Sequence, residues 1–150
     1  MSAGYTAPED ARRAASLLLL RDRADDGSGL EVLMLRRDER DVDMRSGVAV
    51  FPGGVLDARD RDAHAHSIGP GDAEASARLG VAEGGLDYLV AAVRESFEEV
   101  GVLLAHGSAG DFDLASLKPW RDRLQSGEVS MAEFCRAEGL RLDLRDLVYF

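Results

Sequence analysis

The sequence predicts a single domain of the α+β class, for three reasons. Residues 13–21 and 30–37 are apolar runs separated by a loop rich in turn-forming residues, which is the pattern of a β-hairpin. Residues 48–51 form a shorter apolar run that Pro52 ends, as at the end of a strand. The second half of the chain changes to the periodicity of α-helices. Strands that precede helices along one chain favour an α+β fold.

Residues 86–100 predict an amphipathic helix. At about 100° per residue, their apolar positions all fall within about 60° of Val93 and make one stripe. These positions are Leu86, Leu89, Val90, Val93, Phe97 and Val100. Gly101 is the expected stop, since glycine is common just after the last helical residue.

Two more helices are predicted over residues 114–125 and 130–138, with Ser130 as the N-terminal cap of the latter. Residues 144–150 have the composition of a strand that is starting. A strand at 147–150 would leave an unpaired sheet edge, so we expect a homodimer or a swapped assembly.

Residues 58–85 differ from the segments on either side. They are rich in Ala, Asp, Gly and His and contain few large apolar residues. This composition predicts a surface excursion, with one or two helical turns at 73–79.

Length and composition limit the classes of function. At 150 residues, the chain is read as one domain spanning 1–150. The net charge of −10 opposes binding to nucleic acid, because Lys and Arg are what neutralise its phosphates. The apolar run 14–20 is far shorter than the roughly 20 residues of a membrane span and lacks the features of a signal peptide. The single cysteine, Cys135, excludes an internal disulfide, and we expect it to be a small buried residue. Without a disulfide, a signal peptide or a membrane span, we expect a cytoplasmic protein with no membrane partner.

Three carboxylates lie on the helix face opposite the apolar stripe. Glu95, Glu98 and Glu99 fall at about 200°, 140° and 240° from Val93. Such a face is often merely solvated. However, Glu95 and Glu99 are like charges at i, i+4, which destabilises a helix unless something offsets their repulsion. A divalent cation with oxygen ligands, Mg²⁺ or Mn²⁺, would do so.

Upstream, Phe51-Pro52-Gly53-Gly54 predicts a tight loop whose backbone can approach a ligand closely, since glycine has no Cβ. Together with the helix it resembles the Nudix hydrolases, whose box runs Gly, five residues, Glu, seven residues, then Arg-Glu, an apolar residue, any residue, Glu-Glu, any residue, Gly and an apolar residue. Residues 94–102, RESFEEVGV, match the second half, with Ser96 at an apolar position. Gly54 leads after five residues to Asp60, where the family has glutamate. The 33 residues between Asp60 and Arg94 replace the usual seven, so 61–86 is read as an insertion of 26 residues.

The resemblance implies an α/β/α sandwich with a mixed β-sheet and a metal-dependent reaction. Glu95, Glu98 and Glu99 would ligate Mg²⁺ or Mn²⁺, and the carbonyl of Gly53 would add a main-chain ligand. Arg94 would orient a carboxylate, with Glu98 in reach at i, i+4. A metal-activated water would attack a diphosphate linkage of a nucleoside diphosphate derivative, with Glu95 or Glu99 as the base.

The insertion and the words VFPGGVLD and RESFEEVGVLL are similar to the branch that includes the animal peroxisomal coenzyme A diphosphatases. The likeness covers approximately residues 13–150. In that branch the chain would continue through further strands and a helix, so the resemblance implies a fold that is incomplete at its C-terminus. Coenzyme A or an acyl-coenzyme A is the substrate that it favours. Gly47 fits an upstream pattern of another coenzyme A-cleaving branch, whereas Asp43 stands where that pattern has arginine.

Basic residues upstream of the loop complete the candidate site. Arg36 and Arg37 are candidate ligand-binding residues, with Arg40 and Arg45 beside them, although an ordinary solvated surface has the same composition. Two alternatives to a hydrolase are a Nudix-like module that binds a nucleotide without cleaving it and an inactive fragment. The presence of all three helix carboxylates favours the hydrolase.

Overall fold

The computed structural model of the protein describes residues 11–23, 29–36, 47–107 and 113–150. Within these ranges the chain has the predicted α+β composition. The strands are β1 (Ala14–Ser16), β2 (Leu20–Asp22), β3 (Leu30–Val32), β4 (Leu35–Arg36), β5 (Ala49–Val50), β6 (Gly53–Val55), β7 (Ser67–Ile68), β8 (Ala105–Gly107) and β9 (Leu140–Asp143). The helices are α1 (Asp72–Leu79), α2 (Gly85–Val100), α3 (Lys118–Gln125) and α4 (Met131–Glu138), and Ala58–His66 and Leu114–Leu117 are 3₁₀ segments.

The first half of the chain pairs its short strands in antiparallel fashion. β2 and β3 form the predicted hairpin, with Leu20 opposite Val32. β1 pairs instead with β6, and β4 with β5, so the two predicted apolar runs each divide between partners. β6 itself lies where the sequence predicted only a glycine loop. Its pairing with β1 brings the glycines against the rest of the fold.

The second half contributes a three-stranded sheet with β9 in the middle. β7 runs parallel to β9, and β8 runs antiparallel to it. Leu140, Leu142 and Leu144 alternate along this segment and are at most 2% exposed, because every second residue of a strand faces the core.

The predicted strand at residues 147–150 is wrong. No regular structure forms there, and Val148 and Phe150 are 83% and 84% exposed. The sheet pairing is made earlier in the chain, by β9. The unpaired edge on which the homodimer or swapped assembly was expected is therefore absent.

Aromatic packing joins the central helix α2 to the later helices. Phe97 of α2 stacks on Phe134 of α4 with ring centroids 5.3 Å apart, and Trp120 of α3 lies 5.5 Å from Phe134. The predicted helix at 130–138 is confirmed, with Ser130 capping it by accepting the N–H of Glu133. The predicted helix at 114–125 divides into a 3₁₀ turn and α3, with a proline at the start of α3.

The predicted surface excursion at 58–85 is wrong in part. The helical turns at 73–79 are confirmed as α1. However, Ala63 and Ala75 are 0% and 1% exposed, so the segment packs into the core. Small residues allow this close packing: a Cβ at Gly85 would lie 2.2 Å from the backbone nitrogen of Ser76. Among the described helices, none is both long enough and apolar enough to cross a membrane.

Candidate active site

The acidic face lies in the second half of α2. Backbone groups at both ends of this helix have hydrogen-bond partners. At the start, the carboxylate of Asp72 accepts the N–H groups of Gly84 and Leu86 at 3.1 and 2.9 Å, and these bonds lower the pKa of Asp72. At the end, Gly101 takes a left-handed conformation with φ of 72°, and its N–H donates to the carbonyl of Phe97. The helix therefore presents its carboxylates from a fixed backbone.

Arg94 is buried beneath this face and is shared among three carboxylates. Its Nε and Nη2 donate to the two oxygens of Asp60 at 2.7 and 3.1 Å, a paired arrangement that fixes the guanidinium plane. Its Nη1 donates to Glu95 at 2.7 Å and lies 3.5 Å from Glu98. Nη2 also donates to the carbonyl of Val55. Burial alone would lower the pKa of Arg94, but the hydrogen bonds and charges of Asp60 and Glu95 raise it, so the group stays charged.

The pKa of Glu98 is raised. Burial is the largest cause, because a low-dielectric environment disfavours the charged carboxylate. Arg94 opposes the shift, and the negative charge of Glu95 adds to it. Arg94 supplies one positive charge to the three carboxylates of Asp60, Glu95 and Glu98, so a bound cation would compensate negative charge that remains on this face.

The glycine segment closes against the same face. The N–H of Gly53 donates to Oε2 of Glu99 at 2.9 Å. A Cβ at Gly54 would lie 2.4 Å from Oε1 of Glu95, closer than real Cβ contacts, so glycine is required for this carboxylate to pack there. A Cβ at Gly53 would meet the carbonyl oxygen of Ala15 at 2.4 Å. The structure therefore brings together the two segments that are 39 residues apart between Gly54 and Val93 in the sequence.

The donor set fits a hydrated divalent cation in its chemistry. Carboxylates and main-chain carbonyls are the oxygen ligands that Mg²⁺ and Mn²⁺ prefer, and Mg²⁺ keeps several waters, so few protein ligands are needed. Glu95 and Glu98 turn to Arg94, and Glu99 turns to the N–H of Gly53. In this arrangement no group of three or more His, Cys, Asp or Glu residues in the described ranges is set to hold an ion. Each of these contacts uses one carboxylate oxygen, namely Oε1 of Glu95 and of Glu98 and Oε2 of Glu99, so that a cation would be bound through the other oxygen of each side chain.

Comparison with known proteins shows which fold the chain has. No protein-family model matches the sequence. A solved structure that resembles the chain is the crystal structure of NUDIX hydrolase from Alicyclobacillus acidocaldarius, with a TM-score of 0.69 and 28% sequence identity. The chain has a Nudix hydrolase fold. The predicted fold class is thereby confirmed, and the protein that the chain resembles is by its name a hydrolase.

The match to this Nudix hydrolase covers 93% of the chain and 60% of the hydrolase. The chain thus spans less than two thirds of the length of the protein it resembles. The coenzyme A diphosphatase-like branch and the C-terminal continuation stay predictions.

The two departures from the Nudix box both have a physical explanation. Asp60 replaces a glutamate, is 1% exposed, and accepts the N–H of Asp57 at 2.8 Å besides its two bonds from Arg94. Its shorter side chain thus completes both a helix cap and the buried ion pair. Ser96 replaces an apolar residue, is fully buried, and donates its hydroxyl to the carbonyl of Val102 at 3.0 Å. A buried hydroxyl with a partner is tolerated where an unpaired one would be costly.

Two cavities adjoin the acidic face. A cavity of about 650 Å³ borders Glu99 and Gly53 and is lined also by Phe51 and Arg36. Arg36 is therefore near the site, whereas Arg37, Arg40, Asp43 and Arg45 lie outside the described residues. A smaller cavity of about 270 Å³ borders Glu98, Asp60 and Arg94.

Several residues around the site were not predicted from the sequence. Asp57 caps the 3₁₀ segment and its spacing of three from Asp60 is a capping-box signal that could have been recognised. Arg59 binds Asp57 and reaches the carbonyl of Gly127 at 3.2 Å. Arg121 and Gln125 contact the end of α2, but no local pattern indicates this, because it depends on how α3 folds back.

Proposed function

We propose that the chain hydrolyses a diphosphate linkage in a nucleoside diphosphate derivative, with Mg²⁺ or Mn²⁺ bound at the acidic face of α2. The observation that supports this most is the closure of the glycine segment on two of the three carboxylates, through the Gly53 contact to Glu99 and the close approach of Gly54 to Glu95. A solvated acidic face would not need glycines packed against it.

In this proposal, Glu95, Glu98 and Glu99 are the side-chain ligands of the cation, and the carbonyl of Gly53 is the main-chain ligand. When bound, the cation supplies the positive charge that a diphosphate needs beside an acidic protein and polarises the attacking water. Arg94 holds Glu95 and Glu98 in place from below, through the contacts described above. A carboxylate of the face, Glu95 or Glu99, accepts the proton of the water.

The cavity beside Glu99 is the proposed place for the nucleoside part of the substrate. It is lined by an aromatic ring, Phe51, and by a guanidinium, Arg36, and groups of these two kinds contact bases and phosphates. Coenzyme A or an acyl-coenzyme A is the substrate that the sequence resemblance favours. Arg37 is retained in the proposal as a second basic residue on the strength of the sequence alone.

The test is product formation from a panel of coenzyme A, ADP-ribose, NADH and diadenosine polyphosphates, with Mg²⁺ or Mn²⁺. Glu98→Gln removes the charge of one proposed metal ligand with little change in shape and is expected to reduce the rate on the order of a hundredfold. Glu74→Gln is the matched control, because Glu74 is an exposed glutamate on α1 that pairs with Arg78. Equal rates for the parent and Glu98→Gln would contradict the proposal, as would the failure of every substrate in the panel.

A further inference from the structure

The last turn of α2, which carries Glu98 and Glu99, is held from outside by a neighbouring helix. The final carbonyl groups of a helix have no partner within it. Here Arg121 of α3 donates from Nε to the carbonyl of Glu98 at 2.8 Å and from Nη2 to the carbonyl of Glu99 at 2.7 Å. Gln125, one turn further along α3, donates its amide to the carbonyl of Glu98 as well.

One guanidinium therefore fixes two consecutive residues, both of which carry carboxylates of the acidic face. Its positive charge also lies at the negative end of the α2 dipole, where a cation is stabilising. The planar guanidinium fork holds its N–H groups in fixed directions, which a flexible ammonium group does not. Rotation or fraying of this turn would move the Glu98 and Glu99 side chains relative to Glu95, which lies one turn earlier.

The position of Arg121 is itself well determined. On the same helix, Leu124 is 4% exposed, and Trp120 packs on Phe134. Phe134 in turn stacks on Phe97, the residue that precedes Glu98. The helix α3 is thus fastened to α2 both through this aromatic stack and through the contacts to the carbonyls.

We infer that Arg121, with Gln125, is a positioning residue that sets the metal-binding geometry of Glu98 and Glu99 without touching the substrate. This role rests on the proposed function of the acidic face. It extends the site to a helix outside the matched box.

The first test is free of metal and of activity. Amide hydrogen exchange in EDTA is measured for the parent, for Arg121→Ala and for Lys118→Ala. Lys118 is a matched control, because it is a cation on the same helix whose ammonium pairs with exposed Asp122. For Arg121→Ala we expect exchange about tenfold faster in the last turn of α2, residues 98–101, with the first half of the helix unchanged. Unchanged exchange at 98–101 would overturn the inference whether or not the chain is a hydrolase.

The second test is Mn²⁺ binding, measured from the electron paramagnetic resonance signal of free Mn²⁺ without substrate. Arg121→Ala is expected to bind Mn²⁺ about ten- to a hundredfold more weakly than the parent, the usual range for a residue that holds metal ligands in place. Lys118→Ala is expected to match the parent. A parental affinity in folded Arg121→Ala would overturn the inference. If the parent binds no Mn²⁺, the proposed function is contradicted. The hydrogen-exchange experiment would still test whether Arg121 holds the last turn of α2.

Arg121→Lys separates charge from geometry and serves also if the alanine variant fails to fold. It keeps a cation at the end of the helix but loses the fork that reaches both carbonyls. We expect the Mn²⁺ affinity of Arg121→Lys to lie between those of the parent and Arg121→Ala. An affinity equal to that of the parent would mean that the charge alone matters, and it would refute the role of the hydrogen bonds to the carbonyls of Glu98 and Glu99.

Discussion

Removing the charge of Asp60, the aspartate at the position where the Nudix box has glutamate, should destabilise the protein strongly. Its carboxylate is 1% exposed and accepts bonds from Arg94 at 2.7 and 3.1 Å and from the N–H of Asp57 at 2.8 Å. Losing one partner of a buried ion pair costs about 3–5 kcal/mol, because the other charge stays buried. Arg94 keeps Glu95 and Glu98 as partners, so we expect Asp60→Asn to lose about 3 kcal/mol, at the lower end of that range.

Urea unfolding followed by tryptophan fluorescence measures this loss. The chain has one tryptophan, Trp120, which is partly buried and packs on the core residue Phe134, so its emission should change on unfolding. Asp62→Asn is the matched control, since Asp62 is an exposed aspartate in the same 3₁₀ segment. We expect it to stay within about 0.5 kcal/mol of the parent.

A second substitution at the same position examines the size of the pocket. Asp60→Glu restores the residue of the family pattern but adds a methylene to a side chain that is 1% exposed and held by three hydrogen bonds, and an added methylene in a packed interior typically costs about 1–3 kcal/mol. If Asp60→Asn and Asp62→Asn had the same free energy of unfolding, the assignment of Asp60 as the main partner of Arg94 would be refuted.

Three further outcomes are expected. Gly54→Ala should reduce the rate of hydrolysis about a hundredfold in a folded protein, because the added Cβ would displace Glu95. Gly71→Ala is the control and should keep the parental rate, because a Cβ at Gly71 would have no atom within 4 Å. Equal rates for the two variants would contradict the close approach of Gly54 to Glu95. The bonds from Arg59 lower the pKa of Asp57 from 3.8 to about 2, so that its stabilisation is present above about pH 4 and lost as the pH falls towards 2. The free energy of unfolding should therefore fall less between these pH values in Asp57→Asn than in the parent, and parallel curves would count against the cap. Burial raises the pKa of Cys135 to about 12, so a thiol reagent at about pH 8 should modify it only in urea, and rapid labelling of the native chain would show that the site is open.

The elements that could be predicted from the sequence are those with a local physical signal. The stripe of α2 follows the helical period, and Leu86, Val90, Val93 and Phe97 are all at most 4% exposed. The cap at Ser130 and the burial of Cys135 likewise depend on residue type and helix position alone.

Most of the features that were missed depend on contacts between distant segments, and β9 is the exception. β6 contains two glycines, which disfavour strands, and it forms because β1 lies alongside. Aspartate is usually a surface residue, and Asp60 is buried because it pairs with Arg94, which lies 34 residues later in the sequence. The alternation of Leu140, Leu142 and Leu144 was a local signal for β9. The strand was instead predicted at 147–150, because those residues are also apolar.

The central claim is that the acidic face of α2 and the glycine segment make one metal-dependent hydrolytic site. Its most direct test is diphosphate cleavage by the parent chain in Mn²⁺, compared with the same chain in EDTA and with Glu98→Gln in Mn²⁺. We predict cleavage in the first case and a rate reduced on the order of a hundredfold or more in the other two. Cleavage that persists in EDTA, or that Glu98→Gln retains at the parental rate, would contradict it.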